Sequence, residues 1–113
     1  MTPFSSGFPQ NESFEEELRR LNALAADMSA IGRGVSPEEL IEGEAPLLDR
    51  WILGGRFAPC LVGLSTGHPV LAGENRKIAT SDLWLLADDG SWARTLSRWY
   101  RLGRPGDQSG FDA

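Results

Sequence analysis

The sequence predicts a small α+β domain: an N-terminal amphipathic helix and a short second helix packed on a small antiparallel β-sheet. Three observations lead there. Apolar residues recur at spacings of three and four between Phe14 and Ile31. From Pro59 onward they come instead as short runs between turn residues. The acidic helical patterns precede the aromatic strand patterns and do not alternate with them, which separates α+β from α/β.

Residues 1–12 combine Pro, Ser, Gly, Gln and Asn and read as a flexible arm. Phe4 and Phe8 are unusual in such a segment, being aromatics able to dock on the domain or on a partner. Ser13-Phe-Glu-Glu16 fits a capping box, with Ser13 capping the N3 amide and Glu16 reaching back. Glu15, Glu16 and Glu17 also favour the positive end of the helix dipole. Phe14, Leu18, Leu21, Leu24 or Ala25, Met28 and Ile31 then form one stripe, and Gly32-Arg-Gly34 stops the helix. Ser36-Pro-Glu-Glu39 repeats the start signal with Pro37 at the first helical position, and Gly43 keeps this second helix short. Leu47 to Leu53 reads as a helical turn running into a strand, broken by Gly54-Gly55.

Cys60 to Leu64 reads as a buried strand and Thr66-Gly-His-Pro69 as a turn. Ile78 to Leu86 is expected as one strand with a kink near Asp82. Asp88-Asp-Gly-Ser91 is a turn in which Gly90 takes positive φ. Residues 92–102 then return antiparallel. Their aromatic content and the preceding turn favour strand over helix, although a helix would also align Trp92, Leu96 and Trp99. The single domain is expected over residues 13–105, with a flexible C-terminal tail at 106–113.

The chain has 113 residues, 41% hydrophobic and 24% charged, an ordinary composition for one soluble globular domain. No apolar run approaches the roughly 20 residues needed to span a bilayer, so no membrane role is expected. The N-terminus has no basic start and no apolar core, unlike a secretory signal. The single cysteine, Cys60, forbids an internal disulfide and fits a reducing compartment, so the cytoplasm is expected.

Net charge is −5, but unevenly placed. Residues 1–50 hold ten acids and four bases (−6), and residues 51–113 hold six and seven (+1). An acidic whole is poorly suited to non-specific nucleic-acid binding. The basic residues of the second half are nearly all arginine, which a GC-rich genome would also explain.

Cys60 and His68 are the obvious pair for nucleophilic catalysis. Cys60 sits in an apolar run, where a free thiol behaves as a small hydrophobe. His68 precedes a proline in a turn, where an imidazole commonly bonds backbone. One Cys and one His do not make a structural zinc site, and no glycine-rich segment ends as a phosphate loop does. Neither catalytic residues, a metal nor a cofactor is expected. The Glu15-Glu16-Glu17 run is accounted for as a solvated helix start.

The distinctive stretch is residues 81–104, which carries three of four tryptophans, the only tyrosine and four of ten arginines. Trp84, Trp99 and Tyr100 with Arg94, Arg98 and Arg101 are the candidate binding residues, because Arg, Trp and Tyr dominate interface energetics. The competing explanation is that these rings form the core of a small sheet with Arg stems covering its edges.

Pro59-Cys-Leu-Val-Gly63, Gly67-His-Pro69, Ile78-Ala-Thr-Ser-Asp-Leu-Trp84 and Trp92-Ala-Arg-Thr-Leu-Ser-Arg-Trp-Tyr-Arg-Leu-Gly103 carry a likeness. Together they resemble a family of small uncharacterised bacterial proteins, mainly alphaproteobacterial and often encoded on plasmids or other mobile elements. The likeness covers residues 44–105, with the N-terminal helix matching more weakly. It implies no activity and no site, since the family has none assigned. The hairpin ending at Leu102 also resembles small β modules whose last strand ends in Tyr-Arg-Leu, a likeness of fold alone.

The expected function is therefore a non-enzymatic interaction or regulatory module. It would bind a protein partner through the Arg/aromatic strand, with a homodimer possible at this size. The alternative is a nucleic-acid-binding module using the same strand for phosphate contact and base stacking.

Overall fold

The structure, a computed structural model, describes residues 1–106. Apart from Gly106, the expected C-terminal tail lies outside the described residues. The elements are β1 (Thr2–Phe4), α1 (Glu12–Gly32), α2 (Pro37–Leu40), β2 (Val62–Ser65), β3 (Arg76–Ala79), β4 (Leu83–Ala87), β5 (Trp92–Thr95) and β6 (Trp99–Arg101). This is an α+β fold with a long helix, a short second helix and antiparallel-rich sheet. The residues expected in one domain fall into two compact units. Met1–Pro9 joins the chain from Phe57 onward, and Gln10–Arg56 forms the other.

In the helical unit, α1 starts earlier than the capping box suggests. Asn11, not Ser13, is the N-cap, and its side-chain oxygen accepts from the Phe14 amide at 2.9 Å. Asn is among the strongest caps, and this register leaves Glu16 free to serve the helix surface. Glu16 pairs with Arg19 (3.5 Å) and Arg20 (3.4 Å) instead of reaching back to the cap. The end is a Schellman motif. Gly34 sits at φ +88°, its amide bonds the Ile31 carbonyl, and the Val35 amide bonds the Ala30 carbonyl. Ala30 is the one buried residue of the helix. At α2, Ser36 caps without a side-chain bond, so the second capping box does not close. Residues 47–53, expected to become a strand, have no regular structure, and Leu47, Ile52 and Leu53 are almost fully exposed.

The other unit holds two sheets. One is four-stranded in the order β1-β4-β5-β6, and the other pairs β2 with β3. Thr2–Phe4, expected within a flexible arm, forms β1 and runs parallel to β4, with Phe4 opposite Ala87. The Asp88 amide extends this ladder to the Phe4 carbonyl at 2.8 Å, and Ser5 Oγ donates to the Asp88 carboxylate at 2.7 Å. The sheet is thus antiparallel throughout except at this edge.

The single kinked strand expected over residues 78–86 is two strands in two sheets: β3 pairs with β2, and β4 with β1 and β5. The chain changes sheet at Thr80-Ser81-Asp82, where the Thr80 amide and hydroxyl bond Leu61 and the Leu83 amide bonds the Pro59 carbonyl. β2 is not the buried strand expected, for Val62 and Leu64 are exposed. Burial centres on Ile78, Leu83, Ala87, Ala93 and Thr95, contributed by β3, β4 and β5.

Candidate functional site

The stretch from Trp92 to Leu102 is extended, as its composition favoured, but it folds back on itself. β5 and β6 form a tight hairpin with Trp92 opposite Arg101, Ala93 opposite Tyr100, and Arg94 opposite Trp99. The turn at Leu96-Ser97-Arg98 is organised by Thr95, only 1% exposed. Its hydroxyl donates to the Arg98 carbonyl and accepts from the Ser97 and Arg98 amides, each at 3.2 Å. The Thr95 amide bonds the same carbonyl at 2.9 Å. A polar side chain at a buried position of the sheet thereby satisfies the backbone of the turn that aims β6.

Cross-strand partners point to the same face of a sheet, and the pleat sends their neighbours to the other. One face therefore collects Trp92, Arg94, Trp99 and Arg101, together with Leu85, Ala87 and Phe4 from the strands beyond. Trp99 is the middle ring of three. It meets Trp92 edge-on at 6.1 Å (88° between planes) and Phe4 at 5.8 Å (75°). Edge-to-face contacts at these separations are the favoured aromatic geometry. The Phe4 and Trp99 rings approach one another across β4 and β5, where the partner of Phe4 is the small Ala87. Trp99 remains 50% exposed and Trp92 39%, so both offer surface while the trio fixes their orientation.

The six sequence-predicted residues do not all converge. Arg94, Trp99 and Arg101 share the face just described. Tyr100 lies on the opposite face with Ala93, its ring 6.1 Å from that of His68. Arg98 sits half-buried in the turn and serves through its backbone. Trp84 is half-buried on β4 at a register shift between Leu83 and Leu85. Its indole nitrogen is buried and has no hydrogen-bond partner among the described residues. The patch of Trp84, Trp99 and Tyr100 is thus divided between environments, because alternation places adjacent residues 99 and 100 on opposite faces. Two members of the face were absent from the predicted set, Phe4 and Trp92. The signal for Phe4 was an aromatic in a polar arm, but its pairing with residue 87 is not encoded locally.

Charge on this face is uncompensated among the described residues. Among the described residues the ion pairs all lie on α1, joining Arg19 and Arg20 to Glu16 and Glu17. Arg94 and Arg101 have no acidic partner among them and remain available to an anionic group. Guanidinium beside an aromatic face is suited to bidentate carboxylate or phosphate contact.

His68 is accounted for within its own turn. Its Nδ1 accepts from the amides of Val70 (3.0 Å) and Leu71 (2.9 Å). Those bonds place the proton of the neutral ring on Nε2 and use the lone pair a general base would need. Desolvation, then the charges of Arg98 and Arg76, push its pKa below the usual histidine value. Cys60 is exposed, contrary to the buried strand position expected for it. Among the described residues no group of three or more His, Cys, Asp or Glu side chains is placed to hold a metal ion. No helix among them is long and apolar enough to cross a membrane.

A family model matches residues 15–111, from the second turn of α1 through the whole Arg/aromatic hairpin. The chain belongs to the family of unknown function DUF6634. The expectation of an uncharacterised family is met in that form, and the match includes the N-terminal helix that the motif likeness covered weakly. No curated protein and no solved structure gives a significant match to the chain. The DUF6634 match takes in Trp92, Arg94, Trp99 and Arg101 but begins after Phe4, so the third ring of the trio lies outside it.

Proposed function

We propose that this DUF6634 protein is a small non-enzymatic interaction or regulatory module of the bacterial cytoplasm that captures a protein partner on the Arg/aromatic face of its C-terminal hairpin. The alphaproteobacterial, mobile-element setting implied by its motifs belongs to the same reading. The observation that carries it is the oriented trio Trp92, Trp99 and Phe4 on the same face as Arg94 and Arg101, whose guanidinium groups have no acidic partner among the described residues. Rings held edge-to-face lose little freedom on binding, and Trp and Arg are the residues that most often anchor interfaces. The complementary partner presents an apolar side chain to Trp99 with carboxylates on either side of it. The action is occlusion: the module covers a surface its partner needs, and no bond is made or broken.

The test is binding by variants that keep the fold. Trp99→Ala with Arg101→Glu removes the middle ring and reverses one charge at two exposed positions. Partner capture should be lost while circular dichroism is retained. Retained capture by the folded variant would remove the site. A complex whose affinity falls steeply with salt and disappears on nuclease treatment would instead establish nucleic-acid binding by this strand.

A further inference from the structure

We propose that α1 is a self-association element through which two copies of this chain pair antiparallel, independently of the hairpin face. Phe14, Leu18, Leu21, Ala25, Met28 and Gly32 follow one another at steps of four, three, four, three and four. That is the seam of a two-stranded coil. Leu18 is 42% exposed and Met28 66%, with Leu24 (55%) and Ile31 (49%) beside them. The helix buries only Ala30, which at 100° per residue lies on the side away from the seam.

The side-chain volumes select a second copy as occupant, and its direction. With two seams antiparallel about a centre between Leu21 and Ala25, Phe14 faces Gly32 of the other copy, Leu18 faces Met28 and Leu21 faces Ala25. Each large residue then meets a small or flexible one, the alternation that fills a core without voids. A parallel pair would set Phe14 on Phe14 and leave Ala25 and Gly32 facing themselves across gaps.

Charge selects the same direction. The acidic residues Glu12, Glu15, Glu16 and Glu17 crowd the first turns of α1. Arg33 caps the other end, its guanidinium bonded to Ser29 Oγ at 2.8 Å. In the antiparallel pair Glu15, which flanks the seam, lies beside Ser29 and Arg33 of the other copy. A parallel pair would bring two acidic turns together.

Sedimentation equilibrium of the full chain tests this. A monomer–dimer equilibrium is expected, and Met28→Glu, which would bury a charge in the seam, should weaken it about a hundredfold or more. Glu15→Arg and Arg33→Glu should each weaken the dimer by about threefold or more, and the two together should restore it. This swap at exposed sites also decides the matter if Met28→Glu loses helix content. In a Cys60→Ser background, oxidation should join Leu18→Cys chains to Met28→Cys chains and not Leu18→Cys chains to each other. A chain monomeric at every concentration, a dimer indifferent to Met28→Glu, a charge swap that fails to restore, or Leu18→Cys self-linkage would each overturn the proposal.

Discussion

Thr95→Val is the substitution that most directly probes how the hairpin face is built. Valine keeps the shape of the side chain and removes the hydroxyl, which makes three hydrogen bonds at 3.2 Å to the Ser97 amide, the Arg98 amide and the Arg98 carbonyl. A typical intramolecular hydrogen bond contributes about 1 kcal/mol net. These three are at the long end of the range, and the Ser97 amide keeps its second acceptor, Ser81 Oγ at 3.2 Å, in the variant. The summed loss is then about 2 kcal/mol. For a domain of this size that lowers the thermal midpoint by about 10 °C. Thr95→Ser retains the hydroxyl and removes one buried methyl, costing about 1 kcal/mol. Thermal and urea unfolding followed by near-ultraviolet circular dichroism should rank native above Ser above Val. Because the Thr95 turn aims β6, Thr95→Val should also disturb the Trp92–Trp99 exciton signal before unfolding begins. If Val proves as stable as native, or more stable than Ser, the hydroxyl does not organise the turn and this account of the site's geometry fails.

Other consequences are as direct. Asn11→Ala should cost about 1 kcal/mol of helix stability, visible as lost helical circular dichroism, while Ser13→Ala should be near neutral. The reverse order would return the cap to Ser13. Phe4→Ala removes one ring of the trio, worth about 0.5–1.5 kcal/mol beyond its buried area, and should shift Trp99 emission to the red. An unchanged spectrum would mean that β1 does not cover the hairpin face. The depressed pKa of His68 has a signed effect. The unfolded chain takes up a proton near pH 6.5 and the folded ring resists it, so stability holds above that pH and falls as pH drops through it. The slope between pH 7 and 5 should vanish in His68→Ala, and a slope that persists there would assign it to another group.

Local chemistry made the helix, the hairpin turn and the extended character of residues 92–102 legible. The stripe from Phe14 to Ile31 and the Gly34 stop are written in consecutive turns, and Gly90 at φ +73° marks the Asp88-to-Ser91 connection directly. The cap register was not, because Asn11 and Ser13 are both good caps and the choice rests on which amide each reaches. The break at residues 96–98 was not legible either. Its determinant is a threonine whose role appears only once Arg98 has folded back onto it. Period-two alternation run unbroken over residues 92–102 would put Trp92 and Tyr100 on one face, but the turn at 96–98 resets the register and Trp92 and Trp99 are the pair. Phe4 reached the site through a parallel partner more than eighty residues away in sequence. Such non-local pairing leaves no mark in a window of neighbouring residues. The exposure of Cys60 has the same origin: an apolar run signals burial only if a second layer covers it, and Val62 and Leu64 nearby stay open as well.

The most direct measurement is capture from host lysate by the tagged full chain, with nuclease present, run beside the folded Trp99→Ala, Arg101→Glu variant. One protein should be recovered in stoichiometric amount by the native chain and lost with the variant. Equal recovery by both chains, or recovery abolished by nuclease, would contradict it.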